Sequence, residues 1–125
     1  MARRSEIWNL DQVNTMIIQN RQRAKELLET LERLESELAA ARYRADHAET
    51  VAFLSAEGAM ELRKQLGKQA AQKNGEEEAR TAEAQLRSVR AKLHENKQDL
   101  EALMVIGSNL KDERRASQAG YGAGS

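Results

Sequence analysis

Residues 10–38, LDQVNTMIIQNRQRAKELLETLERLESEL, decide the fold class. Apolar side chains return after three residues and then after four, at Leu10, Val13, Ile17, Ala24, Leu27, Leu31, Leu34 and Leu38, with Asn20 the polar exception. An α-helix turns once per ~3.6 residues, so this alternation gathers the apolar groups into one stripe on one face. A strand would need a period of two, which the stretch lacks. The same beat runs on to Gln69. Its a positions are Leu10, Ile17, Ala24, Leu31, Leu38, Ala45, Ala52, Ala59 and Leu66. Its d positions are Val13, Asn20, Leu27, Leu34, Ala41, Ala48, Ser55, Leu62 and Gln69. Fifteen of these eighteen are apolar, the pattern of a helix packed lengthwise on another helix.

Ser5 reads as the N-cap of this first helix, its hydroxyl free to accept a bond from an early backbone N–H. Nothing from there to Lys73 forbids a helix. Gly58 and Gly67 weaken it by ~1 kcal/mol each relative to Ala. Asn74-Gly75 reads as the break, because both residues tolerate the left-handed conformation that ends helices. Lys68 and Lys73 before it, and Glu76, Glu77 and Glu78 after it, suit the dipoles of an ending and a starting helix. The second helix has a positions Ala79, Leu86, Leu93, Leu100 and Gly107, and d positions Ala82, Val89, Asn96, Leu103 and Leu110. Residues 117–125 contain three Gly and no periodicity, which predicts a disordered tail.

The expected architecture is therefore all-α and elongated: a long antiparallel helical hairpin of coiled-coil type, one domain over 5–116. Helix one covers about 5–73, the turn is 74–75, and helix two covers about 76–116. With the fold-back at residue 74, facing residue numbers sum to 148. The layers are Leu66 with Ala82, Leu62 with Leu86, Ala59 with Val89, Ser55 with Leu93, Ala52 with Asn96, Ala48 with Leu100, Ala45 with Leu103, Ala41 with Gly107, and Leu38 with Leu110. Large residues face small ones in many layers, which keeps layer volume near constant. On the flanks this arrangement sets Arg63 near Glu83 and Glu49 near Lys97. The competing arrangement is one nearly continuous helix in a parallel dimer, kinked near Gly75.

Helix two is the shorter, so the hairpin leaves residues 7–34 as a projecting N-terminal helical arm. Its stripe of Trp8, Leu10, Val13, Ile17, Asn20, Leu27, Leu31 and Leu34, widened by Ile7, Met16, Ile18 and Leu28, is an expected oligomer or partner interface. Asn20, at a core position, is a candidate register-setting residue. A second expected contact surface lies off the seam, where Val51, Phe53 and Leu54 come level with Met104, Val105 and Ile106.

The remaining composition speaks against chemistry. The 125 residues include no Cys, no Pro, one Trp, one Phe and two Tyr. Without Cys there is no thiolate metal site or cysteine nucleophile. His47 and His94 fall on outer faces, and the positions three residues before them are Arg44 and Ala91, not the Glu of a di-iron bundle. No phosphate loop, zinc-protease helix or nucleophile elbow is present. No catalytic, metal or cofactor residue is assigned, and a filled Ala/Leu seam leaves no pocket for a small-molecule substrate. Twenty Lys plus Arg balance twenty Asp plus Glu, so no global field favours nucleic acid or anionic lipid. The charge is uneven, with five basic and two acidic groups in residues 1–25, and one basic and five acidic in 26–40. Arg3, Arg4, Arg21, Arg23 and Lys25 are too sparse for a zipper-type basic region, and Arg114 and Arg115 stand alone. No signal peptide and no membrane-spanning run is read, which makes the cytoplasm the expected compartment.

The expected function is a non-enzymatic structural protein that self-associates as a homo-oligomer and scaffolds other chains through apolar helix faces. The alternative is an adaptor or regulator that binds a helix of a different protein, within a nucleic-acid or viral assembly machine. In its charge-rich, Cys-free, rod-like character the chain resembles small helical scaffolding proteins of viruses, a resemblance of composition that carries over no residue. It is similar in length to small secreted helical-hairpin proteins with Trp-x-Gly in the turn, but it has Asn74-Gly75 at that place and no Trp near it.

Overall fold

The computed structural model describes residues 8–123, with side chains described for 8–118. Ser5, Ile7, Arg3, Arg4 and the last two residues of the expected tail lie outside the described residues. Among the described residues the protein is all α, with three helices and no strand: α1 Leu10–Ser55, α2 Met60–Ala71 and α3 Glu77–Ala123. The chain forms two compact units. One joins the chain up to Leu27 with the chain from Lys92 onward, and the other is Leu28–Ala91.

The N-cap of α1 is Asn9. Its Oδ1 accepts the Gln12 backbone N–H at 2.8 Å, and the Gln12 side-chain oxygen accepts the Asn9 backbone N–H at 3.2 Å. This reciprocal box satisfies two donors that an open helix start leaves unpaired. It sets the first residue of α1 at Leu10, where the sequence placed the start of this helix near residue 5.

In the unit Leu28–Ala91 the chain reverses at 56–59, not at Asn74-Gly75. Helix α1 ends at Ser55, and Gly58 takes φ +112°, which an L side chain rarely adopts. Helix α2 then returns along the end of α1. A β-carbon on Gly67 would stand 3.1 Å from the Glu49 carbonyl oxygen, so Gly67 lets the two helices come close. Arg63 secures this return. Its Nε–H donates to the Phe53 carbonyl at 3.2 Å, and its guanidinium lies 4.5 Å from the centroid of the Phe53 ring. Helix α1 has no basic residue in its last turn. Arg63 therefore brings both a donor and a positive charge to a helix C-terminus that lacks them.

The reversal has a cost for the expected core. The a/d phase of α1 does not carry through a turn, and α2 buries Gly67 and Ala71 instead. Leu62 and Leu66, expected inside, are 47% and 38% exposed. Asn74-Gly75 is a kink in the returning arm. Gly75 has φ +134° and is buried, and a β-carbon there would overlap the Ala41 carbonyl. The Asn74 amide donates to the Ala70 carbonyl at 2.7 Å, holding the preceding turn. Beyond the kink Ala79, Ala82, Leu86 and Val89 are buried, as are Leu34, Ala41 and Ala45 of α1. Ion pairs run along the flanks: Arg42 with Glu83, Arg44 with Glu78 at 3.3 Å, and Arg90 with Glu35 at 3.8 Å. These exposed pairs contribute ~0–1 kcal/mol each, enough to favour one alignment but not to hold the fold. They replace the expected Arg63–Glu83 and Glu49–Lys97 pairs.

In the other unit α1 and α3 are again antiparallel neighbours. Val13 is fully buried and meets the position of Gly107, where a β-carbon would stand 3.4 Å from Val13 Cγ1. Residues 13 and 107 sum to 120, whereas the expected layers sum to 148. The difference, 148 − 120 = 28, is four heptads. A shift by whole heptads keeps the a and d residues of α1 up to Ala52, and those of α3, on the seam, so there the periodicity was read on the correct face and at the wrong level. The shift also removes the projecting arm, because Val13, Asn20 and Leu34 are buried within the chain. Finally, α3 runs on to Ala123, so 117–123 are helical where a disordered tail was expected.

Gly75 and Gly107 should respond oppositely to alanine. Gly75→Ala combines a left-handed backbone angle, worth ~1–3 kcal/mol of strain, with overlap against Ala41. Gly107→Ala meets only ordinary van der Waals contact and gains up to ~1 kcal/mol of helix propensity. Chemical denaturation followed by circular dichroism checks both: the midpoint should fall for the first variant and rise or hold for the second.

Candidate protein interaction surfaces

The most specific polar feature is a layer formed by Asn20 and Asn96. Both are buried, at 9% and 6% exposure. The Asn20 amide donates to the Asn96 backbone carbonyl at 2.9 Å, and the Asn96 amide donates to the Asn20 backbone carbonyl at 3.0 Å. The Asn96 amide also reaches the Asn20 side-chain oxygen at 3.2 Å. Each helix thus ties its amide to the main chain of the other. Among the described residues no buried side-chain nitrogen or oxygen lacks a partner. Asn20 was read from sequence as a register residue of an exposed arm, and Asn96 as facing Ala52. The signal that joins them was available: each helix carries one Asn at a core position, and an antiparallel pair can bury both cheaply only by bringing them together.

The expected interface residues fall into three groups. Val13, Asn20 and Leu34 are buried in the seam, while Leu10, Ile17, Leu27 and Leu31 are half-buried along it. Trp8 is half-buried beside a groove that also touches Met16, Leu103 and Ile106. Phe53 is half-buried beneath Arg63, whereas Leu54, Met104 and Val105 are exposed and Ile106 is half-buried. Phe53 and Leu54 belong to one compact unit and residues 104–106 to the other.

The expected core residues divide more simply. Ala45, Leu86, Val89 and Leu103 are buried, and Leu38, Ala48, Ala52, Leu93, Leu100 and Leu110 are half-buried. Leu62 and Leu66 are exposed, as are Ser55 and Ala59 of the expected layers. With Val51, Leu54 and Met60, also exposed, the two leucines make the outer apolar residues around the 56–59 turn. Sequence reading placed Val51 and Leu54 on the outside but Leu62 and Leu66 in the core, because it kept the α1 phase running through the turn.

His47 stacks on exposed Tyr43, with ring centroids 5.9 Å apart, and the His94 ring nitrogen lies 3.2 Å from the Gln98 amide. Among the described residues no cluster of His, Cys, Asp or Glu suits a metal ion, and no helix is long and apolar enough to cross a membrane. Comparison with protein-family models, curated proteins and solved structures found no match.

The asparagine layer gives a second test. Asn20→Leu alone takes the Oδ1 acceptor from the buried Asn96 amide, leaves it only the residue-20 carbonyl, and removes the donor to the Asn96 carbonyl. It should cost ~1–3 kcal/mol, as should Asn96→Leu, which strips the Asn20 side chain in the same way. The double variant removes both polar groups together and should recover most of that loss. Urea denaturation of the four proteins measures the coupling, and strict additivity of the two losses would mean that the pair does not act as a unit.

Proposed function

We propose that the chain is a non-catalytic assembly protein, an antiparallel coiled-coil hairpin that associates with copies of itself and so scaffolds further helical chains. The observation that carries this reading is the exposed apolar set at the turn. Val51, Leu54, Met60, Leu62 and Leu66 are 38–68% exposed. They sit on helices whose inner faces are already filled by small residues, Ala45, Gly67 and Ala71. The chain gains nothing more by folding, yet covering a Leu or Met side chain is worth ~1.5–3 kcal/mol. A second copy offers the same surface and closes by two-fold symmetry. The projecting arm has no part in this reading.

A second reading, an adaptor for a helix of another protein, is favoured by a different surface near Ile18 and Met104, both more than half exposed. Light scattering across a dilution series separates the two. Self-association predicts a mass above the monomer that falls on dilution. Leu62→Glu with Leu66→Glu should lower that mass to the monomer while leaving helix content unchanged, because neither side chain is in the core. A monomer at all concentrations would reject self-association.

A further inference from the structure

We propose that the groove beside the Val13–Gly107 contact is a docking site for an acidic amphipathic helix of another protein. The groove runs between α1 and α3 and is lined by Ile17, Ile18 and Met104, with Gly107 at its base. Ile18 is 67% and Met104 53% exposed, so the apolar walls stand open. Two antiparallel helices with an apolar furrow between them form the seat that a third helix fills in a bundle.

Charge selects the occupant. The only charged residues lining the groove are Arg21 and Lys111, and neither makes an ion pair among the described residues. At the heptad positions bordering this side, Lys25, Lys97 and Arg115 outnumber Asp11 and Glu101. The chain as a whole carries no net charge, so this excess is local. The groove lined by Trp8, Met16, Leu103 and Ile106 differs, because its charges are one of each sign, Arg23 and Asp99. A helix with Leu or Ile on its inner face and Glu or Asp on its flanks fits the first groove in both respects. A second copy presenting the same face would set like charges together. Nucleic acid would leave Ile17, Ile18 and Met104 against phosphate, with no aromatic ring lining the groove to stack on a base. The site uses residues other than the 51–66 surface, so it stands or falls apart from self-association.

The test uses the full chain, isotopically labelled, titrated by NMR and calorimetry with three probes. These are a synthetic amphipathic helix of about 20 residues with Leu inside and Glu flanks, the same helix with Lys flanks, and a short DNA duplex. The Glu-flanked peptide should bind, should move the signals of residues 14–21 and 104–111, and should exceed the Lys-flanked one by about tenfold in affinity. Arg21→Glu with Lys111→Glu, both exposed, should reverse that preference without altering the melting curve. Absence of binding, equal affinity for the two peptides, or shifts centred on Trp8 and Met16 would overturn the proposal. So would movement of the same signals by dilution alone, which marks a second copy, or by the DNA duplex.

Discussion

The Asn20–Asn96 layer fixes the level at which α1 and α3 meet in their unit. A heptad seam of Leu and Ala is nearly indifferent to sliding by seven residues, since each slide returns apolar to apolar. Two asparagines are not indifferent. Apart, each would have to bury its side-chain amide without the reciprocal bonds it makes here, and an unpaired buried polar group costs ~1–3 kcal/mol. Together they satisfy one another and two backbone carbonyls. The alignment that joins them also seats the fully buried Val13 against Gly107. A polar layer thus gives specificity to an apolar one that supplies most of the stability.

The unit Leu28–Ala91 is aligned by other means. Its reversal places a left-handed glycine at 58 and an arginine clamp from α2 to the end of α1. The close approaches at Gly67 and Gly75 are steric rather than polar: a side chain at either would meet the backbone of α1. Small residues there shift the helix contact away from Leu62 and Leu66, which are left to face solvent. The same packing choice therefore closes the turn and leaves the apolar surface exposed. In the other unit Gly107 packs on Val13 in the seam, and the furrow beside that contact is lined by Ile17, Ile18 and Met104.

Much of this was legible in the chain. The three-four spacing gave helices, and the a and d residues of α3 from Ala79 to Leu110 are all buried or half-buried. Those of α1 hold from Leu10 to Ala52 and fail beyond it. The failure has a specific cause. Ala56-Glu57-Gly58-Ala59 contains no strong helix breaker, while Asn74-Gly75 has the dipeptide that most readily ends a helix. Local propensity ranks the second site above the first. Gly75 does carry the left-handed angle, but it spends it on a close approach to Ala41, and the reversal falls to Gly58. The Asn9–Gln12 capping box was also readable, since Asn-x-x-Gln directly precedes the first apolar beat.

By itself the sequence determined that the described chain is helical and which side of α1 and α3 turns inward, because both follow from a period set by backbone geometry. It also determined what the chain lacks in residue types, namely cysteine and proline. Only the tertiary structure decided the axial level of the helices, and with it the burial of Val13, Asn20 and Leu34 and the exposure of Leu62 and Leu66. The physical reason is translational degeneracy. A repeat of seven residues defines a face and leaves the position along it open, and only contacts between residues distant in sequence break the tie. Here those contacts are two asparagine amides, an arginine on a carbonyl, and the glycines against which neighbouring backbone and side chains pack.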